Sequence, residues 1–143
     1  MIIKQLSIFL ENKSGRIHEI TEILGRENLN IHALSLADSE NFGVLRLIVN
    51  DLDKSLDCLK KNGVATSLTS VLAVEVPDKP GGLAAVMKVI DDAGLNIEYM
   101  YSIPEKTHDN AIMIMRFDNT EQAVNKLDGK GLRILTQQEV LKL

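Results

Sequence analysis

Apolar residues recur along this chain with two periods, and each change of period marks the border of a predicted element. Residues 3–10 alternate as a strand, with Leu6, Ile8 and Leu10 on one face and Phe9 on the other. Apolar groups on both faces predict a central strand. A polar turn at 11–14 leads into a helix over 15–27, with Ser14 as its cap and Asn28 as its stop. Strands follow at 30–37 and 42–49, around a tight polar connection at 38–41. Arg46 interrupts the second of them, its stem able to lie along the sheet while its charge reaches water. Asn50 to Asp53 supply caps for a helix over 52–61 with Leu52, Leu56 and Leu59 inward, and Asn62 and Gly63 end it. Residues 66–76 contain neither Gly nor Pro. They read as the last strand of one unit running into the first strand of the next, which puts domains at 1–69 and 70–143.

The second half repeats this order. A helix over 82–93 ends at Gly94, and a strand at 96–103 carries Tyr99, Met100 and Tyr101. A longer polar loop at 104–110 precedes a strand at 111–117. Asn119 with Gln122 resembles a capping box for a helix ending near Leu127. Gly129 to Gly131 turn the chain into a final strand at 132–136, and the closing QQEVLKL either extends that strand or lies on the surface. The repeat is written in the residues. Segment 77–97, PDKPGGLAAVMKVIDDAGLNI, answers segment 11–31, ENKSGRIHEITEILGRENLNI, sixty-six positions earlier. Lys13, Gly15, Leu29, Asn30 and Ile31 recur as Lys79, Gly81, Leu95, Asn96 and Ile97, and the helical set Ile17, Ile20, Ile23 and Leu24 as Leu83, Val86, Val89 and Ile90.

The fold class that follows is α+β: two tandem ferredoxin-like βαββαβ units, each a four-stranded antiparallel sheet with both helices on one face. Right-handed β-α-β connections put the first and third strands of each unit in the middle. A unit of this size buries only about 60% of its unfolded surface, and the sheet face away from the helices needs cover. A homodimer or higher homo-oligomer is therefore expected.

Composition narrows the function. The net charge is -4, with eight basic against nine acidic residues to Ser70 and eight against eleven after it, so neither copy is basic and nucleic acid is an unsuitable partner. No run of 18 apolar residues exists to cross a membrane, and no signal-peptide pattern opens the chain, so the expected compartment is the cytoplasm. Cys58 is the lone cysteine, between Leu56 and Leu59, and reads as a core thiol. His18, His32 and His108 lack metal-ligand spacing, and no metal is expected. The acidic pairs Asp91–Asp92 and Asp51/Asp53 belong to helix surfaces and caps, and Ser14, Ser35 and Ser102 have no His/Asp partners, so catalysis is not expected. PDKPGG is neither G-x-G-x-x-G nor a Walker sequence, and no cofactor is called for.

The chemistry sits in the duplicated turn. Asn12 offers an amide, Gly15 permits close backbone approach, and helix-start amides suit a carboxylate or phosphate. In the second copy Pro80 sets the backbone, Gly81 and Gly82 leave the first helical turn bare, and Asp78 can receive an ammonium. The same features also make an ordinary strand-to-helix turn. Tyr99, Met100 and Tyr101 are either a wall for a small ligand or plain β-formers at an interface.

The β-α-β-β-α-β order, with (Asn/Asp)-x-(Pro/Ser)-Gly before the first helix and Asn-Ile at the second strand, resembles the ACT domain, a small regulatory amino-acid-binding module. The resemblance spans nearly the whole chain as two copies, and implies a non-catalytic regulatory or sensing module that binds a small L-amino acid at the interface between ACT-like domains. It implies Asn12, Gly15 and Asn30 as ligand-binding residues in the first copy, and Asp78, Gly81 and Asn96 in the second. Lys13, Ser14, Arg16, Pro80, Gly82 and Leu83 complete the candidate set from the same turns. An enzyme under its control is a candidate partner. Serine-binding members carry a histidine two residues before the turn Asn; Leu10 and Val76 stand there in this chain, which argues against serine. The rival reading is a structural or protein-interaction module whose ligand site does not function.

Overall fold

The computed structural model describes residues 1–38 and 41–143, with residues 105–107 described by backbone alone. Its elements are β1 (Ile3–Glu11), α1 (Arg16–Arg26), β2 (Ile31–Asp38), β3 (Phe42–Val49), α2 (Leu52–Lys61), β4 (Ala65–Pro77), α3 (Gly82–Asp92), β5 (Ile97–Thr107), β6 (Asn110–Phe117), α4 (Thr120–Leu127), β7 (Ile134–Leu135) and α5 (Gln137–Leu141). Two compact units emerge: Lys4–Thr69, and Ser70–Leu143 together with Met1–Ile3.

In the first unit Leu6, Ile8 and Leu10 alternate onto one face of β1 and lie opposite Leu47, Leu45 and Gly43 of β3. The inward stripe of α1 (Ile20, Ile23, Leu24) and Leu59 of α2 pack on that same face. Helix ends are local decisions: Asp51 caps α2 by accepting from the Lys54 amide at 3.1 Å, and Asn28 stops α1 in the left-handed region at φ 57°. The second unit repeats the arrangement sixty-six positions on, with Leu72, Val74 and Val76 of β4 against Val86 and Ile90 of α3 and Ala123 and Leu127 of α4. Phe117 and Met115 of β6 are fully buried in it.

The sheets differ from expectation in one respect. Two separate four-stranded sheets were expected, whereas the strand path runs β2-β3-β1-β4-β6-β5, with β7 also against β4. Each unit keeps its ferredoxin-like order, β4-β1-β3-β2 in the first and β7-β4-β6-β5 in the second. What joins them is β4, whose thirteen residues meet no Gly or Pro before Pro77 and so have no reason to break.

Three local expectations also change. The predicted loop at 104–110 is mostly strand: Lys106 and Thr107 pair with Ala111 and Asn110, and a register shift falls between Ser102 and Lys106. Residues 103–105 face the single residue Ile112, so the two residues that the second copy has in excess form a bulge and not a loop. Pro104 is tolerated because β5 ends the strand path, where a missing N–H costs no ladder bond. The final strand contracts from 132–136 to Ile134–Leu135, and the closing segment is neither strand nor surface coil but α5. Thr136 and Glu139 form a reciprocal capping box that starts this helix, and Val140 anchors it, fully buried. At the middle positions of 38–41 the predicted polar connection lies outside the described residues. No helix among the described residues is long and apolar enough to cross a membrane.

Candidate functional site

The duplicated turn folds identically in both copies. Gly15 and Gly81 each occupy the N-cap position in the left-handed region, at φ 88° and 82°. The backbone bonds around them repeat: Asn12 N donates to Asn41 O (3.2 Å) as Asp78 N does to Asp109 O (3.2 Å). Lys13 N donates to Glu11 O (2.9 Å) as Lys79 N does to Pro77 O (3.0 Å), and Glu19 N to Gly15 O as Ala85 N to Gly81 O, both at 3.0 Å. A side chain at either glycine would strain the left-handed backbone, which is why both copies keep glycine there. Neither helix has a side-chain cap, so the predicted Ser14 cap is absent: the left-handed N-cap is Gly15 itself. The first helical amides are not free donors either. Arg16 N donates to Lys13 O (3.4 Å) and Gly82 N to Lys79 O (2.9 Å).

Asn30 and Asn96 lie elsewhere. They follow the far ends of α1 and α3, and an eleven-residue helix spans about 16 Å. There they stitch strand ends together. Asn30 N donates to Asn50 Oδ1 (3.0 Å), Asn50 N to Asn30 O (3.3 Å), and Asn96 Nδ2 to Asp118 Oδ1 (3.1 Å). Within one unit, then, the turn and the Asn are not brought to one site. Asn12 Nδ2 reaches Asp38 Oδ2 at 3.4 Å, and Lys13 pairs with Glu11 at 3.4 Å on the surface. Gly82 has a packing reason of its own: a Cβ there would lie 1.9 Å from the Pro77 carbonyl oxygen. Leu83 is exposed, and His18 faces solvent with Glu22 at 3.4 Å. His108 is exposed in the turn before β6, and His32 is half-buried on β2. Tyr99, Met100 and Tyr101 are half-buried on β5, Met100 against the core of the second unit.

Beside each turn the fold leaves a cleft, and the two clefts are counterparts. The first, about 320 Å³, is bounded by the end of β1 (Phe9 to Glu11), α1 (Arg16, Glu19, Ile20), Phe42 and the segment 62–65. The second, about 310 Å³, is bounded by Glu75 and Pro77 of β4, α3 (Ala85, Val86, Val89), Asn110 and the segment 130–133. The ladders fix the correspondence, because Glu11 faces Phe42 across the sheet as Pro77 faces Asn110. Phe9 therefore answers Glu75, Glu19 answers Ala85, and Phe42 answers Asn110.

Their chemistry has diverged. In the second cleft Glu75 is buried in the otherwise apolar stretch 71–77 of β4, and its oxygens are taken: Oε1 accepts from Asn110 Nδ2 (2.9 Å) and Oε2 from Arg133 Nη1 (3.1 Å). Arg133 Nη2 donates to Glu139 Oε1 (3.1 Å), and the Thr136 amide to Glu139 Oε2 (2.7 Å). The Thr136 amide first, then Arg133, holds the Glu139 carboxyl below its ordinary value, while Glu139 first and Glu75 next hold the Arg133 guanidinium above its own. In the first cleft the lining is mostly apolar, with Glu11, Glu19 and Asn62 beside it, and Arg16 is the cation, with Nη1 at 3.0 Å from Glu19 Oε2 and Nη2 at 3.8 Å from Glu11 Oε1. Its Nε is buried and has no hydrogen-bond partner. Of the candidate residues, only Arg16 lines either cleft. Phe9, Phe42 and Glu75 escaped the sequence reading, although a single acid inside VLAVEVP was a visible signal. Among the described residues no group of three or more His, Cys, Asp or Glu could hold a metal ion.

Comparison with known proteins accords with the duplication. The whole chain, residues 1–143, matches the family described as the ACT domain pair. A protein of Bacteroides thetaiotaomicron of known crystal structure is 42% identical over 100% of this chain and 98% of its own, with a TM-score of 0.92. The regulatory subunits of aspartate kinase from Thermus thermophilus and Thermus flavus share the fold at 15% and 13% identity, with TM-scores of 0.62 and 0.59. The matched regions are 87% and 89% of this chain and 89% and 93% of theirs, respectively. No curated protein sequence matches significantly.

Proposed function

This chain belongs to the ACT domain pair family, and from that premise we propose that it is a regulatory module without catalysis that senses a small L-amino acid through its duplicated β-turn-helix elements. The observation that carries this reading is the repeated glycine turn, with the same left-handed N-cap and the same backbone bonds in both copies, each beside a cleft of about 300 Å³. Pockets of that size sit at the small end of those that hold small molecules. Asn12, Lys13, Ser14, Gly15 and Arg16 are the candidate contacts in the first copy, and Asp78, Pro80, Gly81, Gly82 and Leu83 in the second. An adjacent ACT-like domain would complete the wall around the ligand. Asn30 and Asn96 are better accounted for as strand-end fasteners. The output would be exerted on an enzyme partner, and binding alters that output only if the two states of the module differ in affinity. Isothermal titration against the twenty amino acids tests the reading directly. At least one should bind, and its methyl ester and N-acetyl derivative should bind much more weakly than the free zwitterion.

A second reading, a protein-interaction module, draws on the apolar exposure of the first unit. Leu34 and Leu36 are 55% and 53% exposed on β2, which ends the strand path. Silence across all twenty titrations would favour it. Both readings expect at least a homodimer at micromolar concentration, and sedimentation equilibrium giving only a 15.8 kDa species would refute that.

A further inference from the structure

We infer that only the first unit binds the ligand, and that the ligand is an L-amino acid with an apolar side chain, held in the cleft that Arg16 lines; this rests on the amino-acid-sensing reading above. Two observations carry it. In the first cleft a guanidinium Nε is buried without a partner, while carboxylates of Glu11 and Glu19 border the same space. A buried donor left unsatisfied is costly, and a ligand carboxylate accepting from it would remove that cost. The two carboxylates that flank Arg16 suit an ammonium. The remaining lining, Leu10, Ile20, Val64 and Ala65 together with Phe42, suits an aliphatic or aromatic side chain, and Phe42 is 63% exposed.

The second cleft offers the opposite conditions. At the positions of Phe9 and Phe42 stand Glu75 and Asn110, which are bonded to each other, and Arg133 links Glu75 to Glu139. A zwitterion entering there would have to break the bonds of a buried carboxylate, whereas in the first cleft it would compete only with the solvent-exposed pairs of Arg16 with Glu19 and Glu11. Gly82, which answers Arg16, brings no cation. One copy has kept an amphipathic cleft, and in the other, of nearly equal volume, the Glu75 carboxylate and the Arg133 guanidinium that border it are bound to each other.

Titration of the full chain decides the matter. L-leucine, L-phenylalanine, L-serine, L-lysine and L-aspartate are compared with 3-phenylpropionate and phenylalanine methyl ester. The expected result is one molecule bound per chain, apolar amino acids preferred over the polar three, and both derivatives weaker. Arg16→Met should weaken binding roughly tenfold or more, and should also erase the preference for the free acid over its ester. A merely structural role of Arg16 would leave that preference intact. Phe42→Ser should weaken leucine and phenylalanine binding, and Asn110→Ala should leave it within about twofold of wild type. Urea midpoints establish that each variant is folded. Two molecules per chain, a polar amino acid preferred, or an unchanged acid-to-ester ratio in Arg16→Met would overturn the inference while leaving the sensing reading in place. Failure of every amino acid to bind the wild type would remove both.

Discussion

Gly82→Ala should destabilise the protein more than Gly81→Ala, although Gly81 has the unusual backbone. Gly81 sits at φ 82°, and a methyl group added there would meet nothing within 4 Å. Alanine at this position suffers left-handed strain of about 1–2 kcal/mol, partly offset by the lower entropy of its unfolded chain, worth about 0.4–1 kcal/mol. The net should be about 1 kcal/mol. At Gly82 the methyl carbon would lie 1.9 Å from the Pro77 carbonyl oxygen and 2.9 Å from its carbon. Relief requires a shift of about 1 Å, beyond what side-chain adjustment supplies, because the obstructing atoms are backbone. Moving Pro77 disturbs the bond from Lys79 N to Pro77 O, and moving the helix disturbs the bond from Gly82 N to Lys79 O. Overpacking at about 1–3 kcal/mol and one weakened hydrogen bond at about 1 kcal/mol give a loss of about 2–4 kcal/mol.

Urea denaturation followed by circular dichroism measures this, with both variants and wild type at the same protein concentration so that self-association does not enter. The midpoint should fall with little change in slope, and the matching drop in Tm is about 6–12 °C. If Gly82→Ala lies within about 0.5 kcal/mol of wild type, the close approach of α3 to Pro77 is not a constraint, and the glycine would have to be explained by ligand access. A larger loss for Gly81→Ala than for Gly82→Ala would refute the reasoning outright.

Other outcomes follow from the second unit and from the lone thiol. Glu75→Ala leaves Asn110 and Arg133 without their acceptor and should lower stability by about 1–3 kcal/mol, whereas Glu75→Gln should lose less; equal losses in the urea midpoint would contradict the network. Glu139 titrates below its ordinary value when folded, so its contribution is present above that value and fades as pH falls through the folded one. Arg133→Met, which removes the second of the two main causes while the Thr136 amide stays, should therefore move the Glu139 titration, followed by NMR, part of the way up towards an ordinary carboxyl, and an unmoved titration would deny the pairing of Arg133 with Glu139. Burial first, and Glu27 and Asp57 next, push the Cys58 thiol up, and its Sγ donates to Ser55 O at 3.3 Å. A thiol reagent at neutral pH should label the native protein far more slowly than the urea-unfolded chain; equal rates would show that the thiol is not buried.

Much of the architecture was legible in the residues. The sixty-six-residue repeat, the two periods and the caps at Asp51 and Asn119 are local signals, and local geometry obeys them: Phe42–Val49 and Leu52–Lys61 have the bounds their pattern predicts. The uninterrupted run in β4 was legible too, but a single strand path through it is a consequence of strand pairing, which one strand's sequence does not contain. α5 was written in Thr136 and Glu139 and passed over, since five residues carry too little periodicity to outweigh a neighbouring strand pattern. The extra residues of the second copy looked like a loop because Pro104 and polar neighbours usually make one; only the edge position of β5 lets them bulge.

The candidate site divides the same way. Glycine at 15 and 81 declared a special turn, because the left-handed backbone it permits is a property of the residue itself. That Asn30 lies a helix length from that turn, that Phe9 and Phe42 join Arg16 around one cleft, and that Glu75 meets Arg133 fifty-eight positions on all depend on how strands register and chains return. Sequence sets the conformational preferences of neighbours along the chain. The juxtaposition of distant side chains arises only when burial of the alternating apolar faces fixes which strand lies beside which.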